Sequence, residues 1–466
     1  MFHALDGKLR KFALVPLGAA ALLAAGCSSN LNGAASSAVT APAFVVGTDA
    51  PMAAVTSFQA QLVSVDAIDA SGNAVSLISG SPTVDFARYN GLQTLLDMNN
   101  VPVGTYTSVK VTLGSNATLG YLVTGSGAPT IKTEAATLTT NTVTVTLAKP
   151  LVIAKASAPA GLRVDFNLGK SIQVDSSGNI TGTVNPTFKI SAVGEGDSDA
   201  HIDEYTASVM SVDAAAQTFV VAGPHGEQFT IKVNAQTEWD GNATISALTT
   251  NSIVQVSGHL DPADQTLDAG EVDIISQHGF FASGQVTYVT PATGTATSFD
   301  LYVRSLEPAS GTGITLGQIA TVDLSGSEKF EVFRMHNDIT QFLFNASAIV
   351  PGQSIAVGGP ATGAANASAV SVTRVSLRPW GFNGTVVANS VNSSQGTFQM
   401  QINGFAGVLV PQTVTVYIGS DAEYRDGFSD FSEISANANI RVVGLLLRDP
   451  TSGNLVLLAR YVDQMN

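Results

Sequence analysis

The sequence predicts an all-β chain, a β-sandwich followed by small barrels, on three observations. Apolar side chains recur at nearly every second position through segments such as Ser57 to Ile68, the period of a strand with one buried face. Turn residues close these segments at short intervals, as at Asp69-Ala70-Ser71-Gly72-Asn73 and Asp175-Ser176-Ser177-Gly178-Asn179, where Asp and Asn bond to nearby backbone and Gly accepts positive φ. Only 12% of residues are charged, while Gly, Ser, Thr, Ala and Val abound, a balance that suits strands better than helices. At 466 residues the chain has room for three or four domains of roughly 100–150 residues.

The N-terminus carries a different message. Lys8, Arg10 and Lys11 precede an apolar run from Phe12 to Ala25, broken only by Pro16 and Gly18. That run is too short for a permanent membrane helix, which needs about 20 apolar residues, and it fits the apolar core of an export signal. Ala24, Ala25 and Gly26 then lead into Cys27, the one cysteine in the chain, which therefore forms no internal disulfide. This order resembles a bacterial lipoprotein signal. The resemblance implies cleavage between Gly26 and Cys27 and lipid attachment at Cys27, with the protein held to the membrane through acyl chains that contribute about 0.8 kcal/mol per buried CH₂. The alternatives, a buried thiol or a cut elsewhere, leave the order of charge, run and small residues without a role. Ser28 rather than Asp follows the cysteine, which by the same resemblance implies the outer membrane. Residues 1–26 are thus expected to be a signal peptide and 27–42, rich in Ser, Asn, Ala and Gly, a flexible tether.

Charge narrows the function. The chain has 21 basic and 36 acidic residues, net −15. Without residues 1–26, which hold Lys8, Arg10, Lys11 and Asp6, 18 basic face 35 acidic residues, net −17. That sign argues against a nucleic-acid partner, whose binders cluster Lys and Arg, and against electrostatic adhesion to anionic lipid.

Residues 43–194 form the expected sandwich. After the strand at Ser57 to Ile68 and its turn, Ala74 to Ile78 returns as a hairpin partner. Asp85 to Met98 spaces Phe86, Tyr89, Leu92, Leu95 and Leu96 for one helical face. Strands follow at Val101 to Leu113, Thr142 to Leu147, Leu162 to Leu168, Ser171 to Val174 and Thr187 to Val193. Gly47-Thr48-Asp49-Ala50-Pro51 and Val101-Pro102-Val103-Gly104-Thr105-Tyr106-Thr107 resemble a family of bacterial lipoprotein domains of unknown function, over roughly Ala43 to Val193. The resemblance implies an immunoglobulin- or transthyretin-like sandwich and supplies no catalytic residues. Asp49, ahead of Ala-Pro, reads as a turn cap.

Residues 195–203 read as an acidic linker. Asp197, Asp199, His201 and Asp203 alternate there, but a calcium-binding helix-loop-helix requires Gly at loop position six and Glu at twelve. Those positions hold Ile202 and Ser208.

A degenerate repeat then fills 204–276, 277–379 (divergent, above all from Phe330 to Phe344) and 380–466. Corresponding stretches include Phe219-Val220-Val221, Phe299-Asp300-Leu301 and Phe398-Gln399-Met400, and glycines 258, 358 and 444 match. Five or six short strands in so small a unit are most stable when curled into a barrel that hides its edges. The pattern resembles a second uncharacterised bacterial repeat family, which implies OB-like β-barrel repeats. An OB shape alone implies no nucleic-acid function.

The motifs of nucleophile elbows, zinc proteases, phosphate-binding loops and Cys-x-x-Cys sites are missing from the sequence. Gly311 to Gly317 has the wrong spacing for a dinucleotide loop and reads as a turn. His201, His225, His259, His278 and His336 are scattered and read as structural or exposed. Trp239 and Tyr424, at equivalent repeat positions, read as core aromatics rather than sugar platforms. No catalytic residue, metal ligand or cofactor is expected. The leading reading is a lipid-anchored, non-enzymatic interaction or structural module of the cell envelope with an unidentified envelope-protein partner. The rivals are a polysaccharide-binding surface lipoprotein and a hydrolase whose site assembles only in three dimensions.

Overall fold

The computed structural model describes residues 39–464 apart from 51–54, 90–93, 124–126, 156–159, 177–178, 195–200, 223–227, 240–242, 262, 277–278, 309–311, 333–341, 361–368, 403–411 and 426. The signal segment, Gly26, Cys27 and most of the expected tether lie outside the described residues.

The chain is all-β, with sheets organised as the alternation requires. Two long strands, Val55–Asp69 and Gly104–Val123, pair antiparallel at the centre of an eight-stranded sheet. A four-stranded sheet in the order Phe188–Gly194, Ala160–Asn167, Thr40–Ala50, Thr94–Pro102 forms the second layer. Between them Phe58, Phe86, Phe166 and Phe188 form one aromatic cluster, with ring centroids 4.8 Å apart for Phe58–Phe166 and 5.0 Å for the edge-on Phe166–Phe188 pair.

Two local expectations are corrected. The helical stretch from Asp85 to Met98 is a 3₁₀ turn at Phe86–Tyr89 followed by the strand Thr94–Pro102. Phe86 is drawn into the aromatic cluster, and the ladder to Thr40–Ala50 outweighs a helical periodicity already weakened by Gly91. Ordered structure also starts earlier than the expected tether boundary, because Thr40 pairs with Pro102 and Ala41 is buried.

Each repeat is a five-stranded ring of one topology. In the first, His201–Asp213, Thr218–Ala222, Gln228–Lys232, Ile253–Asp261 and Thr266–Ser276 run in spatial order one, two, three, five, four and back to one. In the third, Trp380–Val386, Thr397–Ile402, Gln412–Arg425, Asn439–Arg448 and Leu455–Gln464 close the same way. Strands three and five are parallel in both, giving the OB-like Greek-key ring. A 3₁₀ turn enters between strands three and four in every copy, at Ile245–Ala247, Ala346–Ala348 and Phe431–Glu433.

The second copy begins at Phe280–Thr290 and follows the same order, but its fifth strand is split into Ala369–Ser371 and Arg374–Arg378. The first half pairs with Ile319–Asp323, the second with Lys329–Val332 and Ser354–Gly359. The three matching glycines are not equivalent, because in the second copy the close approach falls one residue later, at Gly359, where a Cβ would lie 2.9 Å from the Ser371 carbonyl oxygen. A Cβ at Gly258 would lie 2.2 Å from the Asp268 carbonyl oxygen and one at Gly444 1.9 Å from that of Leu458, where the fourth strand kinks against the fifth. At Gly358 the nearest atom is 3.4 Å away.

The domains share cores instead of hanging on linkers. Along Thr40–Ala50, Ala41, Ala43 and Val45 face the sandwich core while Phe44 and Val46 belong to the core of the first barrel. Along Asn439–Arg448, Leu446 faces the third barrel's own core while Leu445 and Leu447 pack into the second barrel's. Both strands bury two faces, as the period of two permits. The acidic linker is likewise corrected at its end, since the strand His201–Asp213 begins inside it and Ile202 is buried in the first barrel.

Gly258→Ala and Gly444→Ala are expected to cost about 1–3 kcal/mol each, and Gly358→Ala within about 0.5 kcal/mol, as read by chemical denaturation of the three variants.

Candidate functional site

A concavity lies between the first and second barrels. It is about 650 Å³, with Gln255, Asp273, Ile275 and Ser276 on one wall and Lys329, Glu331, Arg374 and Arg378 on the other. The strand period places these charges. Lys329 and Glu331 alternate with Phe330 along Lys329–Val332, and Arg374, Ser376 and Arg378 alternate with Val375 and Leu377 on its parallel neighbour, in the register Lys329↔Arg374 and Glu331↔Ser376. The intervening Val375 and Leu377 fill the second barrel's core, so the polar set is turned outward.

Glu331 is the electrostatic centre of that wall. Its two carboxylate oxygens form ion pairs with Lys329 Nζ and Arg374 Nε. Burial pushes the Glu331 carboxyl up, but the hydrogen bonds and charges of Lys329 and Arg374 outweigh it and hold the group below its ordinary 4.5. Lys329 remains reachable, its side chain 76% exposed. Arg378 is nearly buried and lies 5.9 Å above the Phe281 ring centroid. Phe281 in turn packs with Ile253, Ala356 and Ile275 in a small apolar cluster shared by the two barrels. The result is an apolar floor under a polar, charge-rich rim, built on strands rather than loops.

A second polar feature ties other parts of the molecule together. Arg304 on the second barrel is buried and donates from Nη1 to the Ala87 carbonyl oxygen at 2.5 Å and the Thr56 carbonyl oxygen at 3.3 Å, and from Nη2 to that of Val55 at 3.3 Å. Its guanidinium carbon lies 4.7 Å from the Trp380 ring centroid of the third barrel. A guanidinium held by three backbone carbonyls and an aromatic face is a structural clamp.

The residues that the sequence singles out scatter across the fold, with one exception. His201 and His259, far apart in the chain, meet as direct partners on adjacent strands; His225, His278 and His336 lie outside the described residues. Asp197, Asp199 and the side chains of Asp49 and Asp203 also lie outside them. Trp239 and Tyr424 pack against the cores of the first and third barrels. Among the described residues, no three His, Cys, Asp or Glu side chains come close enough together to hold a metal ion, and no helix is long and apolar enough to cross a membrane. Sequence reasoning does not find the cleft. Its signal is present in the alternation Lys329, Glu331 and Arg374, Ser376, Arg378, but only the fold brings the two runs side by side.

Comparison with known proteins agrees with this division. A domain of unknown function, DUF4382, matches residues 45–184, and a second, DUF5666, matches residues 207–273. The sandwich and the first barrel are therefore each similar to a family without an assigned role. No curated protein matches the chain. A solved structure, drosophila Unr CSD456, is similar at 11% identity over 56% of this chain and 97% of that chain, with a TM-score of 0.13, and carries no argument about function.

The depressed Glu331 pKa gives a pH dependence of definite sign. Its contribution to stability is present above the ordinary value of 4.5 and is lost as pH falls through the lower folded value. Melting temperatures of the protein and of Glu331→Gln are therefore expected to differ most at about pH 7 and to converge in acid; a constant offset across the range contradicts the ion-pair origin.

Proposed function

We propose that this chain is a lipid-anchored protein of the cell envelope, held at the outer membrane through acyl chains on Cys27, that works by binding rather than catalysis. Its docking site is the cleft between the first and second barrels, and its ligand is an acidic polysaccharide strand. The observation that carries this reading is the sign of the cleft. Lys329, Arg374 and Arg378 face Asp273 and Glu331 there, three cations to two carboxylates, in a chain with 21 basic and 36 acidic residues overall. A cleft of inverted sign with low-dielectric walls concentrates the field on an oppositely charged ligand.

The cleft also supplies what a sugar acid requires. Arginine presents a planar fork to a carboxylate, and the apolar floor around Phe281 and Ile275 suits the less polar face of a pyranose ring. The rigid placement on strands keeps the charges in register without an ordering cost on binding.

The test uses the native lipidated protein in detergent micelles on a panel of acidic and neutral insoluble polysaccharides. Saturable retention on acidic polymers is expected, weakened by salt and by Lys329→Glu, a substitution at an exposed side chain. Equal retention on neutral polymers, or a Lys329→Glu variant that binds like the parent, overturns the ligand assignment. Intact mass of the membrane-extracted protein tests the anchor independently. A diacylated or triacylated chain beginning at Cys27 is expected, and an unmodified residue 27 overturns it.

A further inference from the structure

His201 and His259 carry an inference separate from the cleft. His201 is the first residue of the strand His201–Asp213, and His259 lies near the end of Ile253–Asp261; the two are direct cross-strand partners. Their ring centroids are 4.6 Å apart with planes inclined at 63°. Side chains directly opposite on adjacent strands project from the same face of the sheet, so both imidazoles stand on the outside of the first barrel, His259 exposed and His201 half-buried.

That spacing is also the spacing of two ligands on one ion. Imidazoles bound to a single metal through bonds of about 2.0–2.1 Å hold their centroids roughly 4.5–5 Å apart at square-planar or tetrahedral angles. We propose that His201 and His259 form a two-histidine site for a borderline divalent transition ion, the class of zinc, nickel and copper, with water in the remaining positions. Imidazole selects this class over calcium or magnesium, which take oxygen ligands. Asp268 extends the row, as the partner of His259 on the next strand, with Oδ1 accepting from Thr266 Oγ1 at 3.2 Å. Its carboxylate adds local negative charge, and the net charge of −15 enriches cations around the whole molecule.

The position gives the site a structural consequence. The ladder between these two strands shifts register between Ile202 and Tyr205, so the first residues of the strand are held to the barrel beyond an irregularity. His201 is also the residue at which the chain, coming from the sandwich strand Phe188–Gly194, joins the first barrel. An ion bridging His201 and His259 pins the pair that lies beyond that irregularity and braces the junction. Stabilisation then rises with free metal, because the ion binds the folded chain and the unfolded chain has no such pair held together.

The experiment is calorimetric titration of untagged, chelator-washed mature protein with Zn²⁺, paired with electron paramagnetic resonance of the Cu²⁺ form. One ion per chain, copper coupled to two imidazole nitrogens, and a zinc-dependent rise in melting temperature are expected. His259→Asn, at an exposed position, is expected to fold normally and to bind about 100-fold more weakly, because the chelate is lost; His201→Asn is expected to do the same. Absence of saturable binding at micromolar metal, or a His259→Asn variant that retains the affinity and copper spectrum of the parent, overturns the site and leaves the two rings a packing pair.

Discussion

The structure depends on strands that bury both faces. Thr40–Ala50 gives alternate residues to the sandwich and to the first barrel, and Asn439–Arg448 divides its residues between the second and third barrels. A strand of this kind cannot leave one domain without stripping the core of another, since each large aliphatic or aromatic side chain is worth about 1.5–3 kcal/mol when buried. The remaining junctions are narrower: Leu122 of the sandwich and Val350 of the second barrel are buried in the third barrel's core, and the others are polar or small. Arg304 holds the second barrel to the sandwich through three backbone carbonyls, and Ser208 Oγ donates to Glu307 across the first and second barrels at 2.7 Å.

This construction decides what kind of site the molecule offers. The barrels have little interior to spare, because each core is filled by alternating strand residues, some lent by a neighbouring domain, together with the apolar residue that follows the 3₁₀ turn, Leu248, Ile349 or Ile434. Space is left between barrels, where the first and second meet over only a small apolar cluster. The cleft forms there. The pairing that builds its charged wall, Lys329–Val332 with Arg374–Arg378, is common to all three copies, matching Glu238–Trp239 with Glu271 and Val272 in the first and Glu423 to Arg425 with Tyr461 to Asp463 in the third, so the charge of the wall comes from the residues that the second copy places on a shared frame.

Strand content, the repeat and the five-stranded rings are legible in the sequence because they rest on local signals: alternation, turn residues and recurrent glycines. Gly258 and Gly444 mark the point where strand four approaches strand five too closely for a side chain. Gly358 matches by spacing alone, since in the second copy it is the neighbouring Gly359 that approaches strand five, where a Cβ would lie 2.9 Å from the Ser371 carbonyl oxygen. The absent helix between Asp85 and Met98 shows the limit of periodicity when a distant strand supplies the hydrogen bonds. Val442-Val443-Gly444-Leu445-Leu446-Leu447 carries a subtler signal: a run with no polar alternation is the pattern of a strand covered on both sides. The cleft and the histidine pair are illegible for a different reason. Each joins residues tens of positions apart, and nothing in one strand encodes what its neighbour will present.

Calorimetric unfolding of the mature protein tests the fused cores most directly. Shared strands predict that the sandwich melts together with the first barrel and the second barrel together with the third, so that no single domain gives a transition of its own and the calorimetric enthalpy exceeds what one domain of roughly 100 residues supplies, about 60–80 kcal/mol, at every peak. Four separable transitions of single-domain size would contradict it.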